Sequence, residues 1–324
     1  MIHSGPRNAF RGSARILLAL VLLVLLKTNS IAQDSDAPQP QVPSAIPLSS
    51  SSGTSKPQKA FHDRSISDIS AVGNRDVGCN SGLGSRYSLQ EQIEMGRSYA
   101  RNVEATSTLI ADPAVSEYVD RIGQRLVRNS DAQVRFTFKI IASDNVNAFS
   151  LPGGFVFLNS GLIRAADNEA ALAGVLAHEV AHVAACHAAQ ELARQESASV
   201  DSMPMIFRLA SRRMAINTVY LKPVRIFEAE ADLLAVEYLY KAGYDPHALP
   251  LFFEKIKDNH QCGAKARAFE SDSRMAERIK RTRNQISTLL PSTPGSTVDT
   301  AEFQQIRKRL SEPGSDQRLA RPDR

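Results

Sequence analysis

The chain has 324 residues, 43% of them hydrophobic and 23% charged, which is enough apolar material for one large globular domain with extensions. Its formal charge of +5 misleads: residues 1–32 carry Arg7, Arg11, Arg15 and Lys27 and no acid, leaving 35 basic against 34 acidic residues elsewhere. A near-neutral body carries no electrostatic footprint for nucleic acid, and none for a strongly anionic membrane surface.

In chain order, residues 1–32 read as a signal peptide. Arg11 and Arg15 form its positive region, Ile16–Leu26 its apolar run, and Ser30-Ile31-Ala32 its cleavage site. An uncleaved signal anchor is the alternative, although eleven apolar residues fall short of the ~20 that span a bilayer. No cysteine follows the run, so lipid attachment is not expected, and no other stretch is long enough to span a membrane. Residues 33–84, rich in Ser, Pro, Gln and Asp, read as a disordered linker.

Order is expected from Ser88, where Ser88-Leu-Gln-Glu91 forms a capping box for a helix running to about Leu109. Asp112-Pro113 caps the next helix, whose Val115, Tyr118, Val119, Ile122 and Leu126 follow helical spacing. Arg135–Ala142 alternates as a strand, with Phe136, Phe138 and Ile140 on one face. Asn147–Asn159 is extended and folded into a hairpin by Pro152-Gly153-Gly154. A continuous helix is predicted over Asn168–Arg194. Met203–Val224 is mixed, a helix or a flap. Glu228–Ala242 is a helix ended by Gly243. Further helices are expected over Pro246–Asp258 and Asp272–Leu289. Residues 291–324 read as a flexible C-terminal tail with one short amphipathic helix around Phe303–Leu310. Of the three cysteines, Cys186 is expected to pack as a small buried residue beside the site. A Cys79–Cys262 bridge is left open.

The chemistry sits in His178-Glu179-Val180-Ala181-His182. Imidazoles four apart on a helix share a face and can share a metal ion, with Glu179 beside them as a base for a water at that ion. The competing reading is a surface helix with two solvated histidines. Against it, the flanking residues are apolar almost all round, so the helix should be buried, and buried histidines need partners or a metal. A catalytic zinc takes three protein ligands. Arg225-Ile-Phe-Glu228-Ala-Glu230-Ala-Asp232 supplies a candidate third in Glu228. Asp232, one turn on, can accept a hydrogen bond from the far nitrogen of a ligating histidine. Glu230 is expected to be solvated. His187 is expected to be rotated away from the metal face and structural, and His247 to be a turn or cap residue.

With both segments in view, residues 85–290 resemble the HtpX-like and CAAX-prenyl-protease-like zinc metallopeptidases of the glutamate-zincin group. The resemblance is carried by Asn147-Ala-Phe-Ser-Leu-Pro-Gly-Gly, Gly161-Leu-Ile, Asn168-Glu169, Leu172-Ala-Gly-Val-Leu-Ala-His178-Glu179-Val-Ala-His182-Val and Glu228-x-Glu-Ala-Asp232. It implies an α+β, predominantly helical zincin-type domain with a small β-sheet and an active-site helix. It implies one zinc per chain held at His178, His182 and Glu228, with Glu179 as general base. Signal-bearing members of this type are periplasmic, several acting on outer-membrane assembly. Two departures stand out. Where many members carry His-Pro before a Glu-Arg-Ile run, this chain has Asp272-Ser273 before Glu277-Arg278-Ile279. The membrane helices of integral members and any tetratricopeptide array are also missing.

The expected activity is zinc-dependent endoproteolysis of exported, misfolded or envelope polypeptides. Asn147–Phe149 is read as a sheet edge that pairs with the substrate backbone. A zinc-stabilised chaperone or binding protein with little turnover is the alternative. Oligomeric state and peripheral membrane association stay open.

Overall fold

The computed structural model describes residues 65–199, 224–260, 272–292 and 294–312. The signal run, Met203–Pro223, Cys262 and residues 313–324 lie outside the described residues. The fold is α+β and mostly helical, as expected. Its elements are α1 (Leu89–Thr106), α2 (Pro113–Arg128), β1 (Thr137–Ile141), β2 (Ala148–Leu151), β3 (Phe155–Asn159), α3 (Ser160–Ala165), α4 (Glu169–Ala184), α5 (His187–Ser199), α6 (Arg225–Lys241), α7 (Ala248–His260), α8 (Asp272–Leu289) and α9 (Ala301–Ser311).

Local chemistry sets the boundaries. Ser88 and Glu91 form the reciprocal capping box of α1, and Asp112 accepts from the amides of Ala114 and Val115 with Pro113 at the first helical position of α2. The hairpin turn needs glycine twice: Gly153 and Gly154 have φ of 73° and 95°, and a Cβ on Gly153 would lie 2.4 Å from the Ile93 backbone. Gly243 ends α6 with φ 76°.

The sheet has the order β1-β3-β2, with β1 parallel and β2 antiparallel to β3. The outer side of β1 is partly covered by the segment at Leu109, through Ile110 N–H to Ile140 O and Ala142 N–H to Thr108 O. Among the described residues no strand pairs with the outer side of β2. Asn147 O accepts from Asn159 N–H, and Phe149 and Leu151 stand opposite Phe157 and Phe155. By antiparallel alternation the backbone groups of Ala148 and Ser150 therefore face outward.

The core lies where α4 meets α2, α6, α7 and the sheet. Fifteen of the sixteen residues of α4 are buried. That fits the all-round apolar sequence and makes α4 the fold's central column.

Three expectations about order are corrected. Residues 65–84, read as linker, hold buried Val72, Val77 and Arg75, because Arg75 pairs with the buried Asp131 after α2 and Glu237 on α6. The segment from residue 294, read as a flexible tail, packs on the core: Phe303, Ile306 and Leu310 of α9 are buried. Ahead of α9, Val298 O and the Asp299 carboxylate accept from the Ala170 and Glu169 amides, which satisfies two open donors at the start of α4. The predicted helix Asn168–Arg194 is two helices, with a break at Ala185-Cys186.

Candidate metal centre

The site is assembled from α4 and α6. The start of α4 is clamped by Glu169, whose carboxylate accepts from Tyr118 and Tyr244 hydroxyls at 2.8 Å each and from the Thr300 hydroxyl. Two turns on, His178 and His182 project from the buried column toward the start of α6. Their Nε2 atoms lie 3.0 Å apart. Glu228 closes the triangle, with Oε2 3.4 Å from His178 Nε2 and Oε1 3.4 Å from His182 Nε2. Glu179 follows His178 on the helix and is 8% exposed, so it is withdrawn from bulk water.

The three ligand-type atoms converge on one point. Zinc–nitrogen and zinc–oxygen bonds of about 2.0–2.2 Å at tetrahedral angles separate neighbouring ligands by about 3.3–3.5 Å, close to the triangle seen here. Two neutral nitrogens and a carboxylate oxygen also suit a divalent ion of borderline softness. The residues present therefore fit one metal ion.

Electrostatics point the same way. Burial alone lowers the His178 pKa, but the Asp232 and Glu228 carboxylates outweigh it and push the imidazole up to about 10. Burial raises Glu228, yet the two histidines beside it hold its carboxyl well below the usual range. The pocket is built for positive charge, and an ion can take the place of a proton.

Asp232 is fully buried, with Oδ1 3.2 Å from His178 Nδ1. The approach is oblique, and His178 Nδ1 makes no aligned hydrogen bond. The firmer grip on Asp232 comes from α8. Arg278 donates from Nε and Nη2 to its two oxygens at 3.0 and 2.7 Å, and Arg281 Nη2 adds a contact at 3.1 Å. Arg278 Nη1 also stands 3.4 Å from Glu228 Oε2, and its guanidinium lies over the Phe253 ring at 4.3 Å. The sequence reading gave Arg278 no role. The sign that marks Arg278 is its place on the face of α8 that also carries the buried Met275, Ile279 and Ile286.

Three further expectations are corrected. Cys186 is not a simple packing residue on the site helix: it stands at the helix break with φ 53° and is disulfide-bonded to Cys79. The bridge therefore joins Cys79 to Cys186, not to Cys262. Because α4 stops there, His187 is turned back toward the site, with its Nδ1 2.9 Å from His182 Nδ1. Glu230, expected to be solvated, is 27% exposed and reaches within 3.4 Å of His187 Nε2. Burial, reinforced by His182, pushes His187 down to about 4 despite Glu230. His247 is an exposed turn residue, its amide donating to Asp245.

The sequence profile of peptidase family M48 matches residues 113–294, more than half of the chain and all of the elements that build the site. This chain belongs to peptidase family M48. Membership agrees with the resemblance drawn from the motifs. Among M48 relatives, the Beta-barrel assembly-enhancing protease of Escherichia coli K12 is 30% identical over 241 residues, 69% of this chain and 49% of the relative. The protein of the same name from Yersinia pestis is 29% identical over 241 residues, again 69% and 49%. The Mitochondrial metalloendopeptidase OMA1 of Schizosaccharomyces pombe is 32% identical over 162 residues, 48% of each chain. The chain spans about half the length of these M48 relatives.

Proposed function

We propose that this chain is a zinc-dependent endopeptidase that hydrolyses peptide bonds of exported polypeptides, with unfolded or envelope proteins as substrates. One observation carries the reading: His178, His182 and Glu228 converge at 3.0–3.4 Å, and the buried Glu179 follows His178 on the same helix. His178, His182 and Glu228 hold one zinc ion per chain, and Asp232 supports His178 from behind. Bound there, zinc would supply Lewis acidity, which brings the pKa of a water to roughly 7. Glu179 is the general base: it takes the proton of the attacking water and passes it to the leaving amine. Residues 85–290 form the catalytic core, with 65–84 and 294–312 packed onto it.

The outward backbone groups of Ala148 and Ser150 lie on a strand that packs against α4. They serve as a ladder for an extended substrate. Such pairing reads main chain rather than side chains, so cleavage tolerates sequence and demands an unfolded segment. The names of the bacterial relatives support envelope proteins as the substrate class. Residues 1–32, read as an export signal, support a periplasmic location.

The test is Glu179→Gln in the full chain, assayed on an unstructured protein such as casein. The variant is expected to keep one zinc per chain and to lose cleavage. Undiminished cleavage contradicts the assignment. Zinc removal that melts a wild-type chain already inert toward casein points instead to a zinc-stabilised binding protein.

A further inference from the structure

We infer that His187 and Glu230 form a positioning pair for the His182 ligand, doing for that imidazole what Asp232 does for His178; this rests on the zinc site proposed above. An imidazole that gives Nε2 to a metal must carry its proton on Nδ1, and it needs an acceptor there to fix both tautomer and ring orientation. For His178 the group behind the ring is a carboxylate, buried and gripped by two arginines. For His182 the group behind the ring is another imidazole. His187 Nδ1 lies 2.9 Å from His182 Nδ1, and its Nε2 lies 3.4 Å from Glu230 Oε2. With His187 neutral and Glu230 ionised, both contacts are made together in one way only. His182 donates Nδ1–H to His187 Nδ1, and His187 donates Nε2–H to Glu230. That arrangement leaves the His182 Nε2 lone pair facing the point shared with His178 and Glu228.

His187 is itself fixed on every side. It is 3% exposed and stacks on Phe227 with ring centres 4.5 Å apart and 17° between planes. The Arg194 guanidinium also lies over the Phe227 ring, 5.0 Å from its centre. The backbone is held as well. On a continuous helix a residue five positions beyond His182 would be rotated by about 140° from it. The left-handed turn at Cys186 cancels that rotation, and the Cys79–Cys186 disulfide anchors the turn immediately before His187. A merely structural histidine would need none of this alignment with a ligand nitrogen. Here the helix break, the crosslink and the aromatic stack all present one nitrogen to His182.

The test measures zinc affinity of the full chain by competition with a chromophoric chelator, together with the visible spectrum of the cobalt-substituted protein. His187→Phe keeps the aromatic stack and removes the acceptor. It is expected to bind zinc about 10–100-fold more weakly than wild type, with an unchanged far-ultraviolet circular dichroism spectrum and an altered cobalt band. His187→Asn, whose amide oxygen can accept near the Nδ1 position, is expected to recover part of the loss. Glu230→Gln is expected to show a smaller loss in the same direction. A folded Phe variant that matches wild-type zinc affinity overturns the inference. Should that variant not fold, wild-type affinity in both the Asn and the Gln variants overturns it. A wild-type chain that binds no zinc would instead remove the proposed site itself.

Discussion

Arg75 is the strongest single test of how the N-terminal segment is tied to the helix that carries Glu228 and Asp232. Its side chain is fully buried, as are those of its partners Asp131 and Glu237. It donates from Nε to Asp131 at 3.0 Å, pairs with Glu237, and donates from Nη1 to the Ile66 and Asp68 carbonyls at 2.6 and 3.2 Å. Tyr238 and the Gly73 amide complete the shell around Asp131. Arg75→Ala leaves two buried carboxylates facing each other and releases the Ser65, Ile66 and Asp68 carbonyls. Removing one partner of a buried pair costs about 3–5 kcal/mol, a large part of a typical stability of about 5–15 kcal/mol. The loss should also depend on pH. Burial already raises Glu237 to about 7, with Arg75 opposing the rise. The folded chain thus binds that proton more tightly than the unfolded chain. Stability from this group is present at pH below the ordinary carboxylate value and is lost as pH rises through about 7. Without Arg75 nothing opposes the rise, so the deficit of the variant should be larger at pH 8 than at pH 5. Urea unfolding at both pH values, on wild type, Arg75→Ala and Glu237→Gln, reads all of this. A deficit under about 1 kcal/mol, or one equal at the two pH values, refutes the reasoning.

Other perturbations give equally definite outcomes. Asp232→Asn keeps the shape but leaves Arg278 and Arg281 without their buried counter-charge and weakens the support of His178. It should lower zinc affinity about 10–100-fold and destabilise the chain, as read by chelator competition and urea unfolding. Reducing the Cys79–Cys186 bridge, which closes a sequence separation of 107 residues, should lower stability by up to about 5 kcal/mol in the chain-entropy account. Urea midpoints with and without reductant measure it, and Cys186→Ser should behave as the reduced wild type.

Much of the site was legible because its chemistry is local. Ligand-type side chains four apart, a carboxylate between them and a second acidic turn each follow from helical spacing, and the capping box, Asp112-Pro113 and Pro152-Gly153-Gly154 follow from single-residue backbone preferences. What escaped depends on tertiary contacts. Nothing in Ala184-Ala185-Cys186-His187 resembles a helix stop, since no Gly or Pro stands there. The turn is held by a disulfide to a residue 107 positions away, and with the break went the placement of His187 and Glu230. The same holds for Arg75, which lies in a polar stretch that composition assigns to linker. Its burial depends on Asp131 and Glu237, residues contributed by α2's exit and by α6. Likewise Phe303, Ile306 and Leu310 signalled an amphipathic helix, but not what covers it. The docking surface is made by α3 and by the Arg164–Leu310 and Arg309–Asp112 contacts.

The central claim is a single zinc ion at the meeting of α4 and α6. Anomalous diffraction at the zinc edge, on crystals of the full chain grown with zinc, tests it most directly. The account predicts one strong peak about 2.0–2.2 Å from His178 Nε2, His182 Nε2 and a Glu228 oxygen. A zinc peak elsewhere, or one ligated by the histidines with Glu228 turned away, would contradict it.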